Sequence, residues 1–243
     1  MPEPGDLAGR LRAAAEAGLL RGVPSGPTRL QRLGAGETYA AWLLLSGRLE
    51  RVVRVPIRPV NRMPRPMAAE FEALQRVPPD LGSSAVALET GPGGTGGSGS
   101  DNPLGVPYMV TTHVSGRALR ATDWNPRLAT ALAHQIARLH EALAAGPAPS
   151  AAFVPSADEQ GEELATWWGE HHPQTLTDPR VRELLPAWRR ELDRLAPAFE
   201  AVPTHRLIHG DAVAPNVILG PDGLPRLIDF EWSGPGDTAK DLA

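Results

Sequence analysis

Residues 208–231 read Ile-His-Gly-Asp-Ala-Val-Ala-Pro-Asn-Val-Ile-Leu-Gly-Pro-Asp-Gly-Leu-Pro-Arg-Leu-Ile-Asp-Phe-Glu, and this stretch constrains the chain more than any other. Val217, Ile218 and Leu219 form an apolar run, and Leu227, Ile228 and Phe230 belong to a returning strand. Between them, Gly220-Pro221-Asp222-Gly223 is a turn with a physical cause, because proline presets φ and glycine accepts φ > 0. An antiparallel hairpin about that turn brings its open ends together. Asn216 and Asp229 therefore come close in space, with Asp211 just upstream. Two carboxylates and an amide at one hairpin mouth suit Mg²⁺ held by oxygen ligands, with one acid left over for a hydroxyl.

Composition excludes several other classes of function. A chain of 243 residues suffices for one large domain or two lobes sharing a cleft. Its hydrophobic content of 42% and charged content of 21% are those of a soluble globular protein. A net charge of −4 leaves no nucleic-acid footprint. No apolar run approaches the roughly 20 residues that span a bilayer, and the N-terminus lacks the basic-then-apolar pattern of a secretory signal. Without cysteine there are no disulfides or thiolate zinc sites, which fits a reducing cytoplasm. Lys240 is the only lysine, and it lies beyond the hairpin. A fixed cation in any site upstream of the hairpin must therefore be an arginine.

Along the chain, residues 6–20 read as a helix capped by Asp6. Strand-like sequence follows. Leu33 to Tyr39 carries Gly34 and Gly36 between two apolar runs, Gly47 marks a turn, and Val52 to Val55 is a third strand cut by Pro56. Met67 to Arg76 is a helix, with Met67, Phe71 and Leu74 on one face and Glu70 beside it. Residues 85–89 and 107–111 are strands flanking a Gly/Ser-rich stretch over 91–105. Asn125 caps a core helix with Pro126 at its first position. An acidic helix over 157–171 follows, then a helix over 180–200 interrupted by Pro186 and Pro197. Strand, strand, strand, helix, strand, strand, then helices, is an α+β order. It divides into a sheet-bearing part, 1–113, which resembles the nucleotide-binding amino-terminal lobe of kinases, and a helical part carrying the hairpin, 114–243.

His209-Gly210-Asp211, the spaced Asn216, and Ile228-Asp229-Phe230 resemble the signature of the aminoglycoside phosphotransferase and choline kinase family. Gly236-Asp237 and Asp241-Leu242-Ala243 resemble that family's tail after the second acid. The resemblance spans residues from about 30 to the end. It implies a two-lobed protein-kinase-like fold and Mg²⁺-dependent transfer of the γ-phosphoryl group of ATP or GTP to a small-molecule hydroxyl. Family members continue past the Asp-Leu-Ala element, so the expected fold lacks the last C-terminal helices.

Asp211 is then the catalytic acid–base residue, and Asn216 and Asp229 are the metal ligands. Arg54 stands on the strand where kinases carry a phosphate-contacting lysine, with Glu70 as its partner and Arg51 and Arg58 as rivals. Gly34 and Gly36 let the hairpin tip approach phosphates. Met109 and Thr111 belong to the strand beside the nucleobase. Thr38 and Tyr39 line the tip, His209 braces the catalytic turn, His140 is packing, and Asp241 receives backbone donors from the turn. The candidate acceptor-binding acids are Glu159, Glu162 and Glu163, in an acidic segment with Trp167 and Trp168, together with Glu231. Acids beside tryptophan suit a cationic amine or amino sugar. The expected partners are a nucleotide and a small acceptor, not nucleic acid or membrane. The alternative is an inactive or truncated kinase-like module acting through a partner, and the joint presence of Asp211, Asn216 and Asp229 argues against it.

Overall fold

In a computed structural model, which describes residues 4–36, 38–59, 63, 65–91, 102–142, 166, 169–170, 174, 177–201 and 206–242, five strands form one antiparallel sheet in the order β1-β2-β3-β5-β4. They are β1 (Arg29–Ala35), β2 (Tyr39–Ser46), β3 (Leu49–Pro56), β4 (Ala85–Glu89) and β5 (Tyr108–Thr112). The β2–β3 register follows from a two-residue turn at Gly47-Arg48, which pairs Ser46 with Leu49 and places Ala41 opposite Arg54. Gly47 has a φ of 61°, the left-handed conformation such a turn requires.

Alternation along β3 splits the sheet into two faces. Val53 and Val55 pack with α1 (Pro4–Glu16) in one core, through Leu7, Leu11 and Ala14. Arg54 points to the opposite face. There α2 (Met67–Leu74) contributes Met67, Ala73 and Leu74 to a second core that runs into the C-terminal part through Met109, Val217, Leu227 and Phe230. The α1 helix starts at Pro4 and ends at Glu16, short of the expected residue 20. Gly18, at φ 71°, ends it with the Schellman pattern: the Leu19 N–H donates to Ala14 O at 2.9 Å and the Gly18 N–H to Ala15 O at 3.0 Å.

The helix α3 (Pro126–Ala142) starts as its sequence predicts, with Asn125 Oδ1 accepting from the Leu128 N–H at 3.0 Å. The helix α4 (Pro179–Glu200) is not interrupted, as Pro186 and Pro197 both lie within it. A proline inside a helix deletes one donor and strains the preceding turn, and here neither ends the run. Most of the acidic stretch 157–171 lies outside the described residues, as does most of the Gly/Ser-rich stretch. Among the described residues no helix is long and apolar enough to cross a membrane.

Short strands complete the C-terminal part: β6 (Arg117–Ala118), β7 (Leu207–Ile208), β8 (Val217–Leu219), β9 (Pro225–Leu227) and β10 (Gly234–Pro235). The β8–β9 hairpin forms about the expected turn, where Gly223 takes a φ of 78°. It is stitched to the sheet part through Gly82, which bridges Leu227. The Leu227 N–H donates to Leu81 O at 2.9 Å, and the Ser83 N–H donates to Leu227 O at 3.1 Å. A Cβ on Gly82 would meet Leu227 O at 2.3 Å, so only glycine allows this approach. The result is a two-lobed α+β architecture.

Candidate active site

The turn that carries the candidate acid leaves β7 at His209-Gly210-Asp211. Gly210 has a φ of 81°, and a Cβ there would meet the Trp232 carbonyl at 2.3 Å. Asp241 holds the turn from below: its carboxylate accepts from the N–H groups of His209 and Gly210, each at 2.7 Å. These are the backbone donors expected of Asp241. His140, expected as packing, does more, because its Nε2 lies 2.9 Å from the same carboxylate. Burial pushes the Asp241 carboxyl up, but the His140 bond and the two backbone donors outweigh it and hold the group below its ordinary value.

His209 is fully buried, with its Nε2 2.9 Å from Ile228 O, its Nδ1 accepting from the Asp211 N–H at 3.3 Å, and its ring 4.5 Å from that of Phe230. Accepting at Nδ1 and donating at Nε2 defines a neutral tautomer. Burial lowers its pKa against the pull of Asp241. It braces the turn, as expected.

Asn216 ends a short 3-10 turn, Ala214–Asn216, and its Nδ2 donates to Asp211 Oδ2 at 2.7 Å and to Asp211 O at 3.0 Å. The Ile228 N–H donates to Asn216 O at 2.9 Å, which sets Asp229 next to Asn216 at the hairpin mouth. Asp229 is the only non-glycine residue with positive φ among the described residues, at 65°. That conformation disfavours a side chain but is most tolerated by Asn and Asp, and strain of this kind clusters at functional sites.

Arg54 reaches across from β3 and pairs with Glu70 through Nη1 and with Asp229 through Nη2. Burial works against the arginine's charge, but Glu70 and Asp229 outweigh it and keep the guanidinium ionised. Glu70 is buried to 1% exposure, which pushes its carboxyl up against the pull of Arg54. Tyr39 donates its hydroxyl to Glu70 Oε2 at 3.0 Å, and Arg54 lies over its ring at 4.1 Å from the centroid.

Glu231 faces this cluster rather than standing apart from it. Burial and then Asp229 push its carboxyl up to about 7, against a hydrogen bond with Thr38. Its buried Oε2 has no partner among the described residues. Gly34 and Gly36 lie at the β1–β2 tip, where an added Cβ would meet nothing within 4 Å, so the tip is open. Met109 and Thr111 share one face of β5; Met109 sits in the core beside Phe230, and Thr111 is buried. Glu159, Glu162 and Glu163 lie outside the described residues.

The structure thus brings together Asp211, Asn216, Asp229, Arg54, Glu70 and Glu231. Sequence reasoning missed the closeness of Tyr39 to Arg54 and the role of His140. The first was available by counting the β2–β3 register from Gly47. The second had no local signal, since His140 and Asp241 are 101 residues apart.

A divalent cation fits the donor set. Asn216 uses its Nδ2 on Asp211, which leaves its amide oxygen as an acceptor, and Asp229 uses only Oδ1 on Arg54. One carboxylate oxygen and one amide oxygen match Mg²⁺, which usually takes few protein ligands and completes its shell with waters and phosphate oxygens. Among the described residues there is no cluster of three or more His, Cys, Asp or Glu that could hold a metal ion.

The family model described as "Phosphotransferase enzyme family" (APH) matches residues 29–243. No curated protein matches the chain in sequence. Among solved structures, the streptomycin–ATP–APH(2'')-IIa ternary complex is similar with a TM-score of 0.58 at 20% identity, covering 88% of this chain and 69% of that one. ADP-bound aminoglycoside phosphotransferase APH(2'')-Ib gives 0.57 at 19%, with 88% and 69% covered. A thermostable mutant of APH(4)-Ia, in complex with AMP-PNP and hygromycin B, gives 0.54 at 19%, with 89% and 71% covered. At these identities the likeness establishes the kinase-like fold.

Proposed function

The chain belongs to the phosphotransferase enzyme family, and from that premise we propose that it transfers the γ-phosphoryl group of ATP or GTP to a hydroxyl of a small acceptor. The observation that carries this reading is the convergence of Asp211, Asn216 and Asp229 at one hairpin mouth, facing a buried Arg54–Glu70 pair. Phosphoryl transfer asks a protein chiefly to position groups and stabilise charge, and this site is built for both.

Asp211 orients the acceptor hydroxyl. As the acceptor oxygen bonds to the γ-phosphorus, the bond from that phosphorus to the β-bridging oxygen breaks, the electron pair stays on the nucleoside diphosphate, and the hydroxyl proton passes to the Asp211 carboxylate. Asn216 fixes the Asp211 rotamer through its Nδ2. Arg54 meets phosphate oxygens with its planar donors, and Glu70 holds it in place. Asn216 and Asp229 are the ligands for Mg²⁺, which when bound neutralises charge on the transferring phosphates. Gly34 and Gly36 let backbone donors approach those phosphates, and Met109 and Thr111 flank the nucleobase. The nucleotide lies between a part ending near residue 113 and the rest of the chain.

Two of the neighbours were solved with streptomycin or hygromycin B. With the acids Glu159, Glu162 and Glu163, this supports an aminoglycoside or another cationic amine or amino sugar as acceptor. Glu231, hydrogen-bonded to Thr38 and close enough to Asp229 and Arg54 to feel their charges, stays in this reading an acid for the acceptor.

The test is nucleotide turnover across a panel of aminoglycosides, amino sugars, choline and neutral alcohols, with two variants. Asp211→Asn should abolish transfer while leaving Mg–nucleotide affinity within a few-fold. Asp229→Ala should remove the metal dependence of nucleotide binding measured by calorimetry. Retained turnover in Asp211→Asn would reject the assignment. Nucleotide binding by the parent without transfer to any acceptor would favour the inactive-module reading.

A further inference from the structure

Arg54 has one neighbour that the phosphate reading does not use. Tyr39 opens β2 opposite Pro56, two residues from Ala41, which pairs with Arg54. It is therefore the diagonal cross-strand neighbour of Arg54 on the same sheet face, within reach of an aromatic side chain. Its ring lies under the guanidinium at 4.1 Å, and its hydroxyl donates to Glu70 Oε2 at 3.0 Å, while Glu70 Oε1 receives Arg54 Nη1. Three side chains from β2, β3 and α2 thus close a ring of contacts: π-face to guanidinium, guanidinium to carboxylate, carboxylate to hydroxyl. Tyr39 is buried, and burial together with the Glu70 charge raises its hydroxyl pKa well above the ordinary tyrosine value. It stays a donor throughout the working pH range.

This geometry fixes the plane of the guanidinium, not only its position. With its central carbon over the ring, Arg54 keeps one nitrogen on Glu70 and the other on Asp229, and these three contacts together define the plane. A lysine ammonium is a point charge with no plane to stack and no fork to span two carboxylates. We propose that Tyr39 is a positioning residue that sets the orientation of Arg54 toward the nucleotide phosphates, and that the two act as one unit in place of a phosphate-binding lysine. The inference rests on the phosphate role proposed for Arg54.

The test combines Tyr39→Phe, Tyr39→Leu and Arg54→Lys, singly and in pairs, with Arg54→Ala as control. The readouts are Mg–nucleotide affinity by calorimetry, kcat and KM for nucleotide and acceptor, and the Arg54 Nε–H resonance without nucleotide. Tyr39→Phe keeps the stack and loses only the hydroxyl, so it should lower kcat/KM for nucleotide by about threefold. Tyr39→Leu should lower it by about tenfold, leave the acceptor KM unchanged, and abolish the ring-current shift at Arg54 Nε–H. In the Arg54→Lys background, Tyr39→Leu should cost little more, because the plane it holds is gone. A residue that merely fills the core would instead give multiplying losses in the pair and no split between the two substrates. That outcome, or Tyr39→Leu within about twofold of the parent, overturns the proposal. If Tyr39→Leu does not fold, Tyr39→Phe in the Arg54 and Arg54→Lys backgrounds tests the hydroxyl-to-Glu70 link by the same criterion, and a loss that multiplies in the pair overturns the proposal. Loss of nucleotide binding in Arg54→Ala alongside normal Tyr39 variants defeats this inference alone. Intact nucleotide binding in Arg54→Ala defeats the phosphate role and the inference with it.

Discussion

Replacing Asp241 with alanine tests what holds the His209-Gly210-Asp211 turn. Its side chain is 0% exposed and accepts three bonds: from the His209 N–H at 2.7 Å, the Gly210 N–H at 2.7 Å and His140 Nε2 at 2.9 Å. A hydrogen bond to a charged acceptor contributes about 1.5–3 kcal/mol, and three would sum to about 4.5–9 kcal/mol. That sum overshoots, because the three bonds share one carboxylate and are not additive. Gly210 is also only half-buried and can turn to water. His209 and His140 are buried and stay uncompensated, so about 3–4 kcal/mol is the expected loss. For a chain of this size each kcal/mol moves Tm by about 2–4 °C, so Asp241→Ala should melt about 10 °C below the parent by circular dichroism at pH 7. The sign of its pH dependence follows from the depressed carboxyl. The unfolded chain binds the proton first, so the contribution is fully present above about pH 4 and is lost as pH falls through the lower folded value. The gap between parent and variant should therefore hold at neutral pH and narrow in acid. A Tm drop below about 3 °C, or a gap that does not narrow in acid, would refute the role assigned to the carboxylate.

Two further outcomes are expected. His209 is buried neutral with its pKa lowered, so below about pH 6.5 the unfolded chain takes up a proton that the folded one refuses, and stability falls as pH falls. Urea unfolding between about pH 6.5 and 5 should show a shallower decline for His209→Gln than for the parent, and equal slopes would contradict this. At Asp229 the φ of 65° predicts an inversion of the usual order: Asp229→Gly should be more stable than Asp229→Ala by about 0.5–1 kcal/mol, although both lose the carboxylate. Denaturant midpoints ranking alanine above glycine would show that the strain is not there.

Legibility in the sequence followed the range of each interaction. The hairpin was readable because its turn residues and its two apolar runs lie side by side, and the same holds for the Asn125 cap. Arg54 could be chosen over Arg51 because Val53 and Val55 alternate to the other face and take Arg51 with them, and over Arg58 because β3 ends at Pro56. Local signals were misweighted in two places. The helical pattern past Glu16 outweighs Gly18, whose positive φ ends the helix, and the local cost of Pro186 and Pro197 points to interruptions that the continuous helix Pro179–Glu200 does not show. Contacts made only by the folded chain left no trace. The Gly82–Leu227 bridge and the His140–Asp241 pair join segments far apart in sequence, and glycine or histidine at those positions carries no periodicity to read.

These long-range contacts explain why a strained aspartate can persist at the hairpin mouth. Val217 O accepts from the Leu119 N–H at 2.8 Å, Leu227 is bonded on both sides to residues 81–83, and the Ile228 N–H closes onto Asn216. The backbone on either side of Asp229 is held by these bonds. Phe230 follows immediately, and its fully buried ring pulls the chain into the core beside His209. Between a pinned Ile228 and an anchored Phe230, residue 229 has one residue in which to reverse direction, and the left-handed conformation does so. The reversal turns the carboxylate out of the hairpin toward Arg54, while His209, held by Asp241, sets Asp211 on the neighbouring turn. The two acids therefore derive their relative placement from one frame of backbone bonds and buried rings. Side chains around the cleft can vary in such a design while the geometry of Asp211 and Asp229 stays fixed.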